Sequence, residues 1–436
     1  MVPCVSFVLW RIFLDRLCLS GLSHPPRLVR RDERYYLGES AYAVIGPRRA
    51  GKTYFMFQIA SDLLDAGWDR RSVLYINFED VRFSALKPEH FGGFLKVIHE
   101  FGRERDGKIV LLLDEVQNIP SWGKWVRSLL DRRKYHVVLS GSSSKLGVRE
   151  IPTELRGRYL DKLLLPFSFK EFLKFKGLNP RYYDAPEVGG QVLSALREYM
   201  QIGGFPEVVL NPERASALID SYRQTVVYRD VIERHKIRDA ASLELFMDLL
   251  GENFGKQFSI TKITNYFGSL GLKKSKKTIA NYLKALEDAF YVISVKRFGY
   301  NKREVLQQPS KVYPIDVGYF VRDEIGQKME ALVAVTLFKC AREHNLEIHY
   351  LNTKEGEVDF VVSEKTRVKE LLQVTYTSSM SDIQKREIKS VVDASLLLKP
   401  GKVTIVTWDL EDEVKNNVKI RFVPLWKWLL GQSESR

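Results

Sequence analysis

The stretch Gly46-Pro47-Arg48-Arg49-Ala50-Gly51-Lys52-Thr53 decides the reading of this chain. It has the form G-x-x-x-x-G-K-T, the pattern of a loop that wraps a polyphosphate. Its glycines let backbone N–H groups close around an anion with no Cβ in the way. Lys52 supplies a point charge for the β- and γ-phosphates, and the Thr53 hydroxyl is placed to bind Mg²⁺. Pro47, Arg48, Arg49 and Ala50 complete the loop, and Tyr54 opens the segment behind it. The flanks agree. Ala41–Ile45 is apolar and reads as a buried strand, while from Tyr54 to Leu64 the apolar residues fall at helical spacing until Gly67. Strand, glycine-rich turn and helix is the context the motif needs, and the helix N-terminus adds partial positive charge at the phosphates. The plainer reading is an ordinary βα turn rich in Gly and Lys.

A second run, Lys108-Ile109-Val110-Leu111-Leu112-Leu113-Asp114-Glu115, is apolar and ends in two acids. It reads as a central parallel strand carrying carboxylates at its C-terminal end. Beside a phosphate loop, Asp114 suits a Mg²⁺ ligand and Glu115 a base that orients the attacking water. Without the loop the two acids would serve as well to cap the next helix. A third strand, Tyr135–Leu139, ends in Ser140, Gly141, Ser142 and Ser143. Hydroxyls there suit a group that senses the γ-phosphate from between the loop and the acidic strand; a plain turn would look the same.

Strand-like and helix-like runs alternate from Tyr36 to Leu165, with strands at Ala41–Ile45, Val73–Phe78, Ile109–Leu113, Val137–Leu139 and Leu160–Leu165. That is a parallel α/β domain spanning 36–165. Arg156 and Arg158 precede its fifth strand, where an arginine can reach the phosphates of its own or a neighbouring subunit's nucleotide, or simply sit solvated on a turn. Residues 166–240 are helical, at Glu171–Phe175, Val192–Met200 and Ala215–Glu233, and read as a lid. Residues 241–311 read as a winged helix: Ser-capped helices at Ser259–Phe267 and Ser275–Leu286, then a strand at Tyr291–Val295. Lys273, Lys274, Lys276 and Lys277 open the second helix, and Arg297, Lys302 and Arg303 follow the strand. Those cations suit DNA phosphates, though charge runs are commonly solvated faces. Residues 312–436 show a second α/β pattern, with a helix at Gly326–Arg342, strands at Val358–Val362, Leu371–Thr375 and Val403–Thr407, and a helix near Gln384–Asp393.

Composition bounds the partners. The 436 residues carry 68 basic and 54 acidic side chains, a net charge of +14, which favours a polyanion and above all nucleic acid. Cys4, Cys18 and Cys340 are too few and too scattered for a disulfide framework or a zinc site, and a reducing cytoplasm fits them. Residues 1–35 form an N-terminal segment in which Val2–Leu22 is apolar but broken by Arg11, Asp15 and Arg16. It reads as a packing helix, or as sequence ahead of the true start, rather than a signal or anchor. No membrane association is expected.

Six segments taken in order carry a family resemblance: GPRRAGKT at 46–53, LLLDEVQNIPSW at 111–122, LSGSSSKL at 139–146, ELRGRYLDKLLLPFSFKEF at 154–172, YMQIGGFPEVV at 199–209 and YRDVIERHKI at 228–237. Together they resemble the archaeal and bacterial P-loop ATPases of the AAA+ lineage with an AAA_14-type core and a DUF4143 C-terminal region. The resemblance implies ATP and Mg²⁺ as cofactors, held by Lys52, Thr53 and Asp114, with Glu115 activating water. It implies a sensor at Ser140 or Ser142, where many relatives have Asn, an arginine finger at Arg156 or Arg158, and a homo-oligomer such as a hexameric ring. It further implies a restriction-endonuclease-like fold at 312–436. Such folds use a helix Glu, a strand Asp and then Glu-x-Lys on the next strand. Glu330 and Asp359 match the first two, but Gln373 and Thr375 stand at the last two, so a vestigial nuclease is expected. The leading expectation is an ATPase that couples nucleotide turnover to binding or remodelling of DNA, with branched DNA a candidate substrate by analogy with such rings. An ATP-controlled nuclease and a nucleotide-dependent switch that recruits proteins are the alternatives.

Overall fold

The structure, a computed structural model, describes residues 29–142, 151–179, 181, 183, 185–299, 301, 305, 308–383, 385–415 and 418–431. Val2–Leu22, Cys4, Cys18, Ser143, Lys302 and Arg303 lie outside the described residues. The chain divides into two compact units, Met1–Leu165 and Pro166–Arg436.

The first unit is built on five parallel strands: β1 (Ala41–Ile45), β2 (Val73–Asn77), β3 (Ile109–Asp114), β4 (Tyr135–Gly141) and β5 (Tyr159–Leu163). Their order across the sheet is β2-β3-β4-β1-β5. The helices between them are α1 (Lys52–Asp65), α2 (Phe91–Phe101), α3 (Trp122–Asp131) and α4 (Ile151–Leu155). Near-continuous Val, Leu and Ile make β1 and β3 wholly buried strands, as a sheet covered on both faces requires. On α1, Phe55, Met56, Ile59 and Leu63 pack against Val44, Val110, Leu112 and Val138 of the sheet. Burying each such side chain contributes roughly 1.5–3 kcal/mol. Trp125 of α3 stacks on Phe91 and meets Phe78 and Phe94 edge-on. The order brings β4 between β1 and β3, so the tips of all three strands share one edge of the sheet.

The second unit opens with helices α5 (Phe169–Phe175), α6 (Pro186–Ile202), α7 (Pro206–Leu210) and α8 (Ala215–Thr225). Ser168 caps α5 in a reciprocal capping box with Glu171. The helix expected through Glu233 changes to π-helical winding over Val226–Glu233, where Asp230 is buried. Next come α9 (Ala240–Gly251), β6 (Gln257–Phe258), α10 (Ile260–Ser269), α11 (Lys276–Asp288), β7 (Val292–Arg297) and β8 (Ser310–Pro314). Ser259 and Ser275 cap α10 and α11 through the backbone N–H groups of Lys262 and Thr278.

The remainder comprises α12 (Ile325–His344), β9 (Glu347–Asn352), β10 (Glu357–Glu364), β11 (Arg367–Val374), α13 (Lys385–Leu398), β12 (Lys402–Thr407), β13 (Asp412–Lys415), β14 (Lys419–Pro424) and α14 (Leu425–Gly431). One nine-stranded sheet, ordered β13-β14-β12-β11-β10-β9-β7-β8-β6, runs through this half. Its joint is the parallel pairing of Lys296 and Arg297 in β7 with His349 and Tyr350 in β9. The boundary read between residues 311 and 312 falls inside β8. Val391 and Ala394 of α13 pack on Val361, Leu371, Val403 and Phe422 of the sheet.

Candidate functional site

The loop between β1 and α1 is shaped by two glycines. A Cβ on Gly46 would lie 2.0 Å from the Leu164 carbonyl oxygen, so no larger residue fits where the loop passes the end of β5. Gly51, at φ 90°, is the left-handed residue from which α1 starts. The buried Lys52 ammonium donates to the carbonyls of Gly46 at 3.1 Å and Pro47 at 2.9 Å within the loop. Arg48 forms an ion pair with Glu79 at 3.3 Å, Ala50 is buried and Arg49 is exposed. Tyr54 is half-exposed and meets Phe57 edge-on.

The strand tips meet at Asp114. Thr53 Oγ1 donates to Asp114 Oδ2 at 2.7 Å, and Tyr75 of β2 donates to the same oxygen at 2.8 Å. Ser140 of β4 donates to Asp114 Oδ1 and accepts the Glu115 N–H at 3.0 Å. Burial pushes the Asp114 carboxyl up, and the hydroxyls of Ser140, Thr53 and Tyr75 oppose that shift. Burial likewise pushes the Tyr75 phenol far up, with the Asp114 charge adding to it. Glu115 sits at φ 50°, ψ 48°, a left-handed conformation that costs a non-glycine residue about 1–2 kcal/mol. Its carboxylate accepts from Gln117 and from Ser142 at 3.2 Å. Strain held by surrounding bonds is a mark of functional positions. Thr53 and Asp114 present hard oxygen donors side by side, which is the chemistry Mg²⁺ prefers.

Two supports were invisible in the sequence pattern. Tyr75 reaches Asp114 only because β2 lies beside β3. Arg31, itself buried, donates to the Ala50 carbonyl at 3.0 Å and the Leu165 carbonyl at 2.6 Å, clamping the loop from outside. Gln58 of α1 fixes the Arg31 backbone, accepting its N–H at 2.8 Å and donating to its carbonyl at 3.2 Å.

Arg158 lies at the start of β5, where its carbonyl accepts the Ala41 N–H at 3.1 Å. The phosphate loop leaves the opposite end of β1, roughly 13 Å further along the strand. Both arginines thus stand at the end of the sheet away from their own loop. Arg158 is also engaged, by Asp131 at 2.6 Å and the Arg127 carbonyl at 3.2 Å. Arg156 is exposed, at φ 49°.

In the second unit, Lys273, Lys276 and Lys277 are exposed around the start of α11. Lys274 is not part of that group: Asp239 binds it, and that bond helps to hold Asp239 down to about 2. Arg297 ends β7 inside the sheet, its backbone paired with Tyr350.

The residues read as a vestigial nuclease are brought together in part. Glu330 of α12 and Asp359 of β10 meet, but at a lysine. Lys311 of β8, 3% exposed in its side chain, donates to Glu330 at 2.7 Å and to Asp359 at 3.0 Å and forms an ion pair with Glu357. Tyr313 also donates to Glu330, at 2.6 Å. Gln373 stays apart as a strand fastener, its oxygen accepting the Asp359 N–H at 3.3 Å. Thr375 follows β11, its backbone N–H bonded to Val406. Burial pushes Glu330 up to about 7, and the Asp359 charge adds to that. Burial alone would lower the Lys311 ammonium, but Asp359 and its other neighbours outweigh it and hold Lys311 well above its usual range. The only sequence signal for Lys311 was a charge standing directly before the run Val312–Ile315.

Comparison with known proteins follows the same lines. Residues 38–173 match the AAA_14 family model, an AAA domain. An uncharacterized protein of Methanocaldococcus jannaschii is 33% identical over 437 residues, covering 96% of this chain and 96% of its own length. The chain belongs to the family of that protein. An uncharacterized protein of Haemophilus influenzae is 29% identical over 326 residues, 73% of this chain and 78% of its own. The first unit of this family member is thus a P-loop AAA domain with the parallel sheet of AAA+ ATPase cores. Residues 193–322 match a domain of unknown function, DUF8612, in place of the DUF4143 region the sequence suggested. Among solved structures, Aeropyrum pernix Orc1 in complex with DNA aligns at TM-score 0.32 and 16% identity, over 79% of this chain and 95% of that one. AMPPCP-bound DnaA from Aquifex aeolicus aligns at TM-score 0.23 and 15% identity, over 63% and 88%. Superpositions that loose carry no inference about what this chain does. Among the described residues no helix is long and apolar enough to cross a membrane.

Proposed function

We propose that this chain is a Mg²⁺-dependent ATPase of the AAA+ type that uses ATP binding and hydrolysis to change its hold on DNA. The observation that carries the reading is the unbroken set of bonds Thr53–Asp114–Ser140–Glu115 at one edge of the sheet. It joins the phosphate loop to the strand tip that holds a base. On ATP binding the Lys52 ammonium exchanges the Gly46 and Pro47 carbonyls for the β- and γ-phosphates. Thr53 and Asp114 would hold Mg²⁺, which supplies positive charge to the phosphate oxygens when bound. Glu115, fixed by Ser142, Gln117 and its own strained backbone, accepts a proton from the attacking water. The water oxygen bonds to the γ-phosphorus as the bond to the ADP oxygen breaks. Ser140 keeps Glu115 and Asp114 in register during this step. Arg156 acts on a neighbouring subunit's nucleotide, which calls for a head-to-tail homo-oligomer, most simply a ring.

For DNA, the support is the run α9, β6, α10, α11, β7 and β8, with strand order β6-β8-β7, an arrangement that suits a winged helix. Lys273, Lys276 and Lys277 would meet phosphates at the start of α11. Residues 166–240 would act as the lid, and residues 312–436 as an endonuclease-like domain that binds without cleaving.

The test is the ATPase rate of wild-type protein alone and with duplex, single-stranded or branched DNA, beside Lys52→Ala and Glu115→Gln. Turnover should depend on both residues and respond to at least one DNA. Turnover indifferent to Lys52→Ala would sink the nucleotide assignment, and indifference to every DNA would favour a switch that recruits proteins.

A further inference from the structure

An endonuclease-like centre implies a divalent metal held by its carboxylates, and the residues of this chain do not fit one. Glu330, Glu357 and Asp359 converge from α12 and β10, but they converge on the Lys311 ammonium. An ammonium has three N–H donors and no acceptor. Glu330 and Asp359 each accept a hydrogen bond from Lys311, and Glu357 adds a third ion pair to the same ammonium. The outer oxygens are engaged as well: Asp359 Oδ2 accepts the Val374 N–H at 2.9 Å, and Glu357 Oε2 accepts from Gln257 at 2.7 Å. Gln373, the nominal third ligand, gives its oxygen to the backbone.

We infer that Lys311 is the resident cation of this centre: its ammonium stands where a metal would, and residues 312–436 form a metal-free binding domain with no cleavage activity. The physical case rests on the cost of removing ions from water. Buried carboxylates need a counter-charge and hydrogen bonds, and a divalent ion or an ammonium can supply them. A lysine from β8 supplies both permanently, with no dependence on metal concentration. It also ties β8 to α12 and β10, so the same side chain fastens the lysine-bearing region to the C-terminal sheet. A water-activating role does not suit Lys311, since an ammonium has no lone pair with which to take a proton and its charge is balanced by three carboxylates.

This inference rests on the endonuclease-like reading of residues 312–436 and is independent of the phosphate loop. The test uses the full-length chain without nucleotide and Mn²⁺ as the probe, with binding followed by calorimetry and by the electron paramagnetic resonance of the ion. Wild type should bind no Mn²⁺ that Asp359→Asn removes. Lys311→Met should gain one Mn²⁺ site, and adding Asp359→Asn should abolish it. Lys311→Met/Glu357→Gln, which removes one carboxylate with the ammonium, is the companion where the single variant unfolds. It should gain a weaker site with the same dependence on Asp359. Lys311→Arg should gain none. A wild-type Mn²⁺ site lost in Asp359→Asn, or Mn²⁺-dependent plasmid nicking, would overturn the inference. Folded lysine variants that gain no site would show instead that the carboxylates were never a metal centre and would overturn the endonuclease-like reading itself.

Discussion

Replacing Ser140 by Ala removes two bonds at once and separates a positioning role from a merely structural one. The hydroxyl donates to Asp114 Oδ1 and accepts the Glu115 N–H at 3.0 Å. A hydrogen bond to a charged group contributes about 1.5–3 kcal/mol. Losing that bond therefore raises the Asp114 carboxyl further above its ordinary range. The direction follows from the acid. Burial already pushes Asp114 up, and the Ser140 hydroxyl is the first of the groups holding it down. Only ionised Asp114 can support the metal, so kcat/KM climbs as pH rises through its pKa. Ser140→Ala should therefore move the acid limb of the kcat/KM profile to higher pH. Tyr75→Phe, which strips a donor from Oδ2, moves it the same way.

The assay is steady-state ATP turnover from acid to mildly alkaline pH at saturating Mg²⁺, with Ser140→Thr as the rescuing variant. A structural defect would lower activity evenly across pH and would track a fall in unfolding midpoint. An acid limb that stays in place while activity drops would refute the assigned role of Ser140. So would a Ser140→Thr profile no better than that of the alanine.

Further outcomes follow from the same structure. Lys52→Ala should lower kcat/KM for ATP by about 10²–10³-fold, the loss expected when a preorganised charge facing the transition state is removed. Mixing Lys52→Ala subunits with Arg156→Ala subunits should restore turnover to roughly a quarter of wild type at equal amounts, because a competent site needs an intact loop beside an intact neighbouring arginine; no recovery would refute action between subunits. Neutralising Lys273, Lys276 and Lys277 should flatten the slope of log affinity for DNA against log salt by up to about 3, whereas Lys274→Gln should leave it nearly unchanged because Asp239 already engages that lysine. Native-state hydrogen exchange should open β7 and β8 together with β9 and β10; earlier exchange of β7 and β8 would refute a continuous sheet.

What the sequence made legible is local. The apolar runs of β1 and β3 specify buried strands from their own composition, and the glycines of the phosphate loop specify the turn between β1 and α1. Ser259 and Ser275 announce their helices because a cap acts on residues two or three positions ahead. Contacts set by strand order were not legible. Tyr75 and Asp114 are 39 residues apart, and nothing in Val73–Asn77 marks a hydroxyl aimed at a carboxylate. Arg31 and Leu165 are 134 apart, and Arg31 resembles any other cation of a basic N-terminal stretch. Arg156 and Arg158 were assigned by their place before β5; only the parallel pairing of β5 with β1 puts them at the far end from the loop.

The same limit explains the C-terminal half. A linear reading seeks catalytic residues in their expected order along neighbouring strands, and it therefore weighed Gln373 and Thr375 while passing over Lys311. The folded contacts reverse that weighting. Gln373 is spent on a backbone N–H, and the charge that matters arrives from β8, 48 residues before Asp359. Because β8 belongs both to the β6-β8-β7 group and to the larger sheet, residues 241–311 and the C-terminal strands cannot part without breaking the Lys311 bonds and the β7–β9 pairing. The lysines of α11 and the carboxylate centre therefore belong to one compact unit, joined through one continuous sheet, and on the proposed function a DNA bound at α11 would be coupled through β7 and β9 to the C-terminal strands.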